Sequence, residues 1–117
     1  MKLTNLRPML YTRDISGTIE FYTRVLGFAC DNTMEEWASL SKDDVSIMLS
    51  IPNEHLPFEK PAFTGSFYFH TDDVDGWWAK LKDRAKVCYE IENFDYGMRE
   101  FAIFDNNGYV LQFGTPR

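Results

Sequence analysis

Two histidines and two cysteines are the residues of this chain best suited to hold a metal or to act as nucleophiles. None stands at a spacing that serves either purpose. His55 lies in a stretch broken by Pro52, Pro57 and Pro61, and His70 stands alone near the end of an apolar run. Cys30 and Cys88 each follow a helical pattern and are expected as buried thiols of a cytoplasmic protein, not as a disulfide. The acidic groups Glu35-Glu36, Asp43-Asp44 and Asp72-Asp73-Asp75 fall at turns and helix starts, where carboxylates are solvated or offset a helix dipole. They add to a field that favours a cation.

The remaining candidates are aromatic and polar side chains on strand faces. From Trp37 to Ser41, alternation puts Ala38 and Leu40 on one face and Trp37, Ser39 and Ser41 on the other. A tryptophan on a polar face suits either a cavity wall or a subunit interface. Met48 and Ser50 share a mixed face with Ser46, opposite Ile47, Leu49 and Ile51. That face is expected to be concave, with Met48 touching a ligand or filling space. Tyr68 points the same way as Ser66, so its hydroxyl is placed to bond a ligand or a neighbouring strand. Tyr96 precedes Gly97, which lets backbone approach closely, and either lines a crevice or caps a sheet edge.

Elements that position these residues follow from periodicity. Residues 7–12 read as a strand, and Ser16 can cap a helix carrying Ile19, Tyr22, Val25 and Leu26 on one face, ended by Gly27. Residues 28–31, 37–40 and 45–51 read as strands, with 41–44 as a hairpin turn. The prolines of 53–64 make that stretch a linker. The order then repeats: a strand over 66–71, a helical stripe of Val74, Trp77, Trp78 and Leu81, then strands over 87–91, 99–104 and 109–113. Trp77 and Trp78 are expected in the core.

That second pass is a true repeat. Shifted by 59, Thr12, Asp14 and Gly17 fall on Thr71, Asp73 and Gly76. Shifted by 64, residues 37–52 fall on 101–116, with aromatic-Ala, turn, apolar run and final Pro in step. Two copies of a βαβββ unit are implied, an α+β architecture over a single domain 1–117: a first module 1–52, the linker 53–64 and a second module 65–117. The copies are expected to face each other across a pseudo-two-fold axis, curved sheets enclosing a cleft, with a ligand where they meet.

Bulk composition narrows the partners. A net charge of −6 argues against nucleic acid and anionic membranes and permits a cationic ligand. No apolar run is long enough to span a bilayer, and the N-terminus carries no export signature. Aromatic content of 16% suits a pocket for flat rings, and equally plain core packing.

The stretch Asp14-Ile-Ser-Gly-Thr-Ile-Glu-Phe-Tyr22 with Leu26-Gly-Phe28 resembles the opening of the glyoxalase/bleomycin-resistance/dioxygenase (vicinal oxygen chelate) superfamily. Tyr96-Gly-Met-Arg-Glu-Phe101 and Asp105-Asn-Asn-Gly-Tyr109 resemble its closing motif. The resemblance implies that fold over nearly the whole chain. In the family's metalloenzymes, ligands to a divalent ion come from the first and last strand of each copy. Carried over, those positions are Arg7, Met48, Ser66 and Gln112. A guanidinium cannot ligate, a thioether is too soft, a hydroxyl is weak, and only Gln112 is acceptable. The resemblance therefore implies no metal and no other cofactor. It points to the bleomycin-resistance branch, whose members sequester a large cationic drug without chemistry, with Trp37 and Tyr96 matching aromatics of their crevice. Arg7 needs a counter-ion such as Glu100, or points to solvent. Pro8 matches the hinge at which an N-terminal arm crosses to a partner in a homodimer, or is an ordinary edge proline. The expected function is small-molecule binding by a cytoplasmic antibiotic-resistance homodimer. The alternatives are a lyase or dioxygenase of the superfamily, or a metabolite-binding accessory module.

Overall fold

The computed structural model describes residues 1–53, 58–62 and 65–117. The chain divides into two compact units, Met1–Lys60 and Pro61–Arg117. Six residues of the expected linker, 54–57 and 63–64, lie outside the described residues, and His55 is among them.

In the first unit, β1 (Met9–Tyr11) is followed by α1 (Ile15–Glu20), a π-helical turn (Phe21–Val25), β2 (Ala29–Met34), β3 (Trp37–Lys42) and β4 (Val45–Ser50). The sheet order is β1-β4-β3-β2, with β1 parallel to β4 and the other pairs antiparallel. Leu10, Ala38, Leu40, Ile47 and Leu49 are buried, as are Tyr22 and Leu26 of the helical segment. Trp37, Ser39, Met48 and Ser50 share the other face, as alternation requires: Trp37 lies opposite Ser50, and Ser39 opposite Met48.

The second unit repeats the plan with β5 (Phe67–His70), α2 (Val74–Leu81), β6 (Lys86–Asn93), β7 (Met98–Phe104) and β8 (Val110–Pro116), in sheet order β5-β8-β7-β6. Helix α2 packs on β7 and β8. Trp77 lies against Phe113 and Trp78 against Phe101, so both tryptophans pack on the sheet, but each stays half-buried and neither enters the buried core expected for it.

Three of the residues identical between the copies build the helix starts. Asp14 and Asp73 each cap a helix by accepting from the amide of Gly17 or Gly76, both at 2.9 Å. Thr12 and Thr71 accept in turn from the amides of those aspartates, at 3.0 and 3.1 Å. A Cβ at Gly17 would lie 2.1 Å from the Asp14 carboxylate, and one at Gly76 2.3 Å from that of Asp73, which is why glycine recurs. The cap of α1 is thus Asp14, two residues before the expected Ser16.

Two further expectations are corrected. Cys30 and Cys88 are exposed, because they sit on the edge strands β2 and β6 next to β-bulges. The uniform shift of 64 fails in one strand. Lys42 pairs with Val45 across a two-residue turn, whereas the Asp105 amide bonds the Tyr109 carbonyl across three residues. The second hairpin is longer by one, held by Asp105 Oδ1 accepting from the amides of Asn107, Gly108 and Tyr109, each at 2.9 Å. In register, Trp37 opposite Ser50 therefore corresponds to Glu100 opposite Gly114, and not to Phe101.

Candidate functional site

In the second unit, the sheet face turned away from α2 carries a closed polar network. One row runs straight across four strands: Tyr68, Gln112, Ala102 and Tyr89. The next row is His70, Gly114, Glu100 and Glu92. Ala102 leaves space for Gln112 Nε2 to reach the Tyr89 hydroxyl at 2.8 Å. Gly114 leaves space for Tyr68, since a Cβ there would sit 2.0 Å from the Tyr68 oxygen.

Glu100, only 1% exposed, is the hub. Its Oε1 accepts from Tyr68 at 3.0 Å and Tyr96 at 2.6 Å. Its Oε2 accepts from the Tyr89 hydroxyl and, at 3.4 Å, from Gln112 Nε2. Ser66 donates to Gln112 Oε1, closing the network at the start of β5. Burial pushes the Glu100 carboxyl up, but the hydrogen bonds from Tyr89, Tyr96, Tyr68 and Gln112 outweigh it and hold the group below the ordinary carboxylate range. The phenols move the other way. Burial, then the bond to Glu100, pushes Tyr68 up to about 12. The same two causes raise Tyr89. For Tyr96 the bond to Glu100 leads and the value is again about 12.

Tyr96 stands at the rim, 64% exposed. Its ring is stacked on Phe94 at 5.4 Å and 14°, and the Phe94 amide and carbonyl bond Met98 and Gly97. Gly97 takes φ 86°, a left-handed conformation that glycine tolerates, so the loop turns and brings Tyr96 back over β7. Phe94 in turn meets Tyr89 edge-on at 5.7 Å.

Of the expected site residues, Ser66, Tyr68, Tyr96 and Gln112 are thus joined in one network, and Trp37, Met48 and Ser50 share one face of the first unit's sheet. Arg7 is exposed in the segment before β1, and the partners of Glu100 within its own unit are the tyrosines and Gln112. The Met48 amide donates to the Pro8 carbonyl at 2.8 Å, so Pro8 sits at a strand start, where its missing N–H costs nothing. Sequence reasoning missed Glu100 as a hub, together with Tyr89 and Phe94. The available signal was the match of Glu100 to Trp37, hidden by the longer hairpin.

The family model described as Glyoxalase/Bleomycin resistance protein/Dioxygenase superfamily matches residues 6–113, and the chain belongs to that superfamily. No curated protein matches it by sequence. Among solved structures it is similar to a protein of unknown function from Agrobacterium tumefaciens str. C58, at 16% identity and TM-score 0.84 over 100% of this chain and 97% of that one. It is similar to TnmS3, an antibiotic binding protein from Streptomyces sp. CB03234, at 23% identity and TM-score 0.79 over 100% and 99%. A lactoylglutathione lyase from Agrobacterium tumefaciens shares 20% identity at TM-score 0.76 over 96% and 92%. At these identities the likeness establishes the glyoxalase/bleomycin-resistance fold, which hosts binders and enzymes alike.

The positions that hold a divalent ion in the family's enzymes do not suit one here. Gln112 has its amide nitrogen on Tyr89 and Glu100 and its oxygen accepting from Ser66. Met48 offers only a thioether and Arg7 a guanidinium. Among the described residues, no three His, Cys, Asp or Glu side chains gather into a metal-holding group. Nor is any described helix long and apolar enough to cross a membrane.

Proposed function

We propose that this protein binds and sequesters a cationic aromatic small molecule of the bleomycin class and performs no chemistry on it. The observation that carries this reading is the Phe94–Tyr96 pair: an exposed aromatic plate whose outer ring is tethered through its hydroxyl to a buried carboxylate. A free surface tyrosine must be ordered when a ligand binds, and this one is ordered beforehand. Flat rings stack on such a plate with about 0.5–1.5 kcal/mol beyond burial. The network's protonation states support binding over catalysis. General acid–base work favours groups poised near the operating pH. Here the carboxylate is shifted down and its phenols up, away from neutrality.

Trp37, Met48 and Ser50 are proposed as ligand contacts on the polar face of the first unit's sheet, with Arg7, which precedes the Pro8 whose carbonyl accepts from the Met48 amide, and Ser66, Tyr68, Tyr96 and Gln112 as those of the second. We further propose a cytoplasmic homodimer, with the N-terminal arm before Pro8 available for exchange. Two exposed free thiols suit a reducing compartment. The test is a titration of tryptophan fluorescence with bleomycin at low and high salt, for wild type, Trp37→Ala and Tyr96→Ala. Binding should weaken about tenfold in each variant and fall as salt rises. No binding by wild type at about 100 μM, a concentration that detects even modest affinity, removes this ligand class.

A further inference from the structure

We propose that the Glu100 network is a recognition site for a protonated amine, the part of the ligand that the aromatic plate cannot read. This rests on the reading that this face binds a small molecule, and it adds the chemical group that the face selects.

The inference comes from following each hydrogen. A phenol has one O–H, and those of Tyr68, Tyr89 and Tyr96 all point inward to Glu100. The Ser66 hydroxyl is given to Gln112, whose amide nitrogen donates to Tyr89 and Glu100. Each of these five side chains therefore spends its donors inside the network. What the network presents outward is acceptor capacity: the remaining lone pairs of Tyr68 and Tyr96 and the electron-rich faces of their rings. An acceptor-only surface bonds a ligand that brings hydrogens and leaves an anion unserved.

The charge points the same way. Glu100 is buried and shifted toward its ionised form, yet among the described residues it has no cationic partner. Its four partners are neutral donors. A buried anion solvated by neutral groups alone keeps an outward field, and the surrounding rings relay it through polarised O–H bonds. An ammonium at the Tyr96 rim would supply both the hydrogens and the opposite charge. The imidazole of His70 rests against the Tyr68 ring at 5.1 Å, outside the network.

The test uses the full chain and three probes with one ring: benzylamine, benzyl alcohol and benzoate, titrated by ligand-observed NMR at fixed ionic strength. Wild type should hold benzylammonium at least about tenfold more tightly than either of the others, as for a charge-assisted contact. Glu100→Gln keeps the shape but gives the tyrosines a donor to face. Their O–H groups are then free to turn outward, so the preference should vanish and benzoate should gain. Glu20→Gln, which removes the same charge from an exposed helix, should leave the preference intact. Tyr96→Phe keeps the ring and removes the outermost acceptor. It should weaken benzylammonium about threefold or more while leaving benzyl alcohol unchanged, and it serves if Glu100→Gln does not fold. Equal binding of the three probes overturns the inference, as does no detectable binding of benzylamine, an equal loss in Glu20→Gln, or an unaltered Tyr96→Phe. The bleomycin titration is read separately. Bleomycin binding that ignores Glu100→Gln sinks this inference alone. Amine selectivity without bleomycin binding sinks the drug and leaves the amine site standing.

Discussion

Gly114→Ala perturbs the network without altering any member of it. The backbone of Gly114 lies outside the left-handed region, so alanine fits the strand itself. The added methyl would meet the Tyr68 oxygen at 2.0 Å and Cζ at 2.7 Å, so the ring has to swing away and release Glu100. A hydrogen bond to a charged group contributes about 1.5–3 kcal/mol, and the lower figure applies because Tyr89, Tyr96 and Gln112 still serve the carboxylate. Alanine restricts the unfolded chain and returns about 0.4–1 kcal/mol. The net expectation is a destabilisation of about 1 kcal/mol, or about 4 °C in Tm for a chain of this length. Urea denaturation of a double-mutant cycle with Tyr68→Ala checks the cause. In the Tyr68→Ala background the clash is gone, and Gly114→Ala should be neutral or stabilising. A coupling energy of about 1.5 kcal/mol is expected. If Gly114→Ala costs the same in both backgrounds, Tyr68 is not what the glycine accommodates and the account of the network fails.

Four other outcomes are expected. Because the folded Glu100 carboxyl lies below its unfolded value, its stabilisation is present above about pH 4.3 and is lost as pH falls through the folded value. The stability difference between wild type and Glu100→Gln should therefore shrink in acid, and a flat difference down to about pH 3 contradicts the shift. The phenols are raised, so their contribution is complete below about pH 10 and disappears toward about pH 12, which a tyrosinate absorbance titration will follow. Elemental analysis of purified protein should find no stoichiometric divalent metal, and chelators should leave Tm unchanged; about one Zn, Ni, Fe or Mn per chain would refute the binding-protein reading. Light scattering at tens of micromolar should give a dimer mass, with a single monomer mass counting against the proposed assembly.

Much of this was legible in the sequence. Hydrophobic alternation separates the faces of β3, β4 and β8, and the Asp–Gly helix starts recur because the same cap is built twice. What sequence hid came from single-residue slips. Regular alternation from Val87 would turn Tyr89 to the α2 side. Val87 pairs with Ile103 but Tyr89 pairs with Ala102, so Cys88 is an extra residue and Tyr89 is delivered to the Glu100 face. The longer second hairpin likewise moves Glu100, not Phe101, into the place that Trp37 occupies in the first copy. Periodicity cannot signal either slip, because both are properties of pairing between strands.

The bulges have a consequence beyond the network. Each four-stranded sheet has two edge strands, and a flat, free edge recruits other chains into fibrils. Here one edge of each sheet is a strand of only three or four residues, β1 or β5, too short to template a ribbon. The other is β2 or β6, whose pairing register breaks once at Cys30/Asn32 in the first sheet and twice between Val87 and Glu92 in the second. A broken register twists the ladder and puts its amides out of step with an incoming strand. The residue that delivers Tyr89 to its carboxylate therefore also guards the longest exposed edge against amyloid-like growth. Deleting Cys88 would turn Tyr89 away from its carboxylate and, in the same stroke, remove the first of the two breaks that protect this edge.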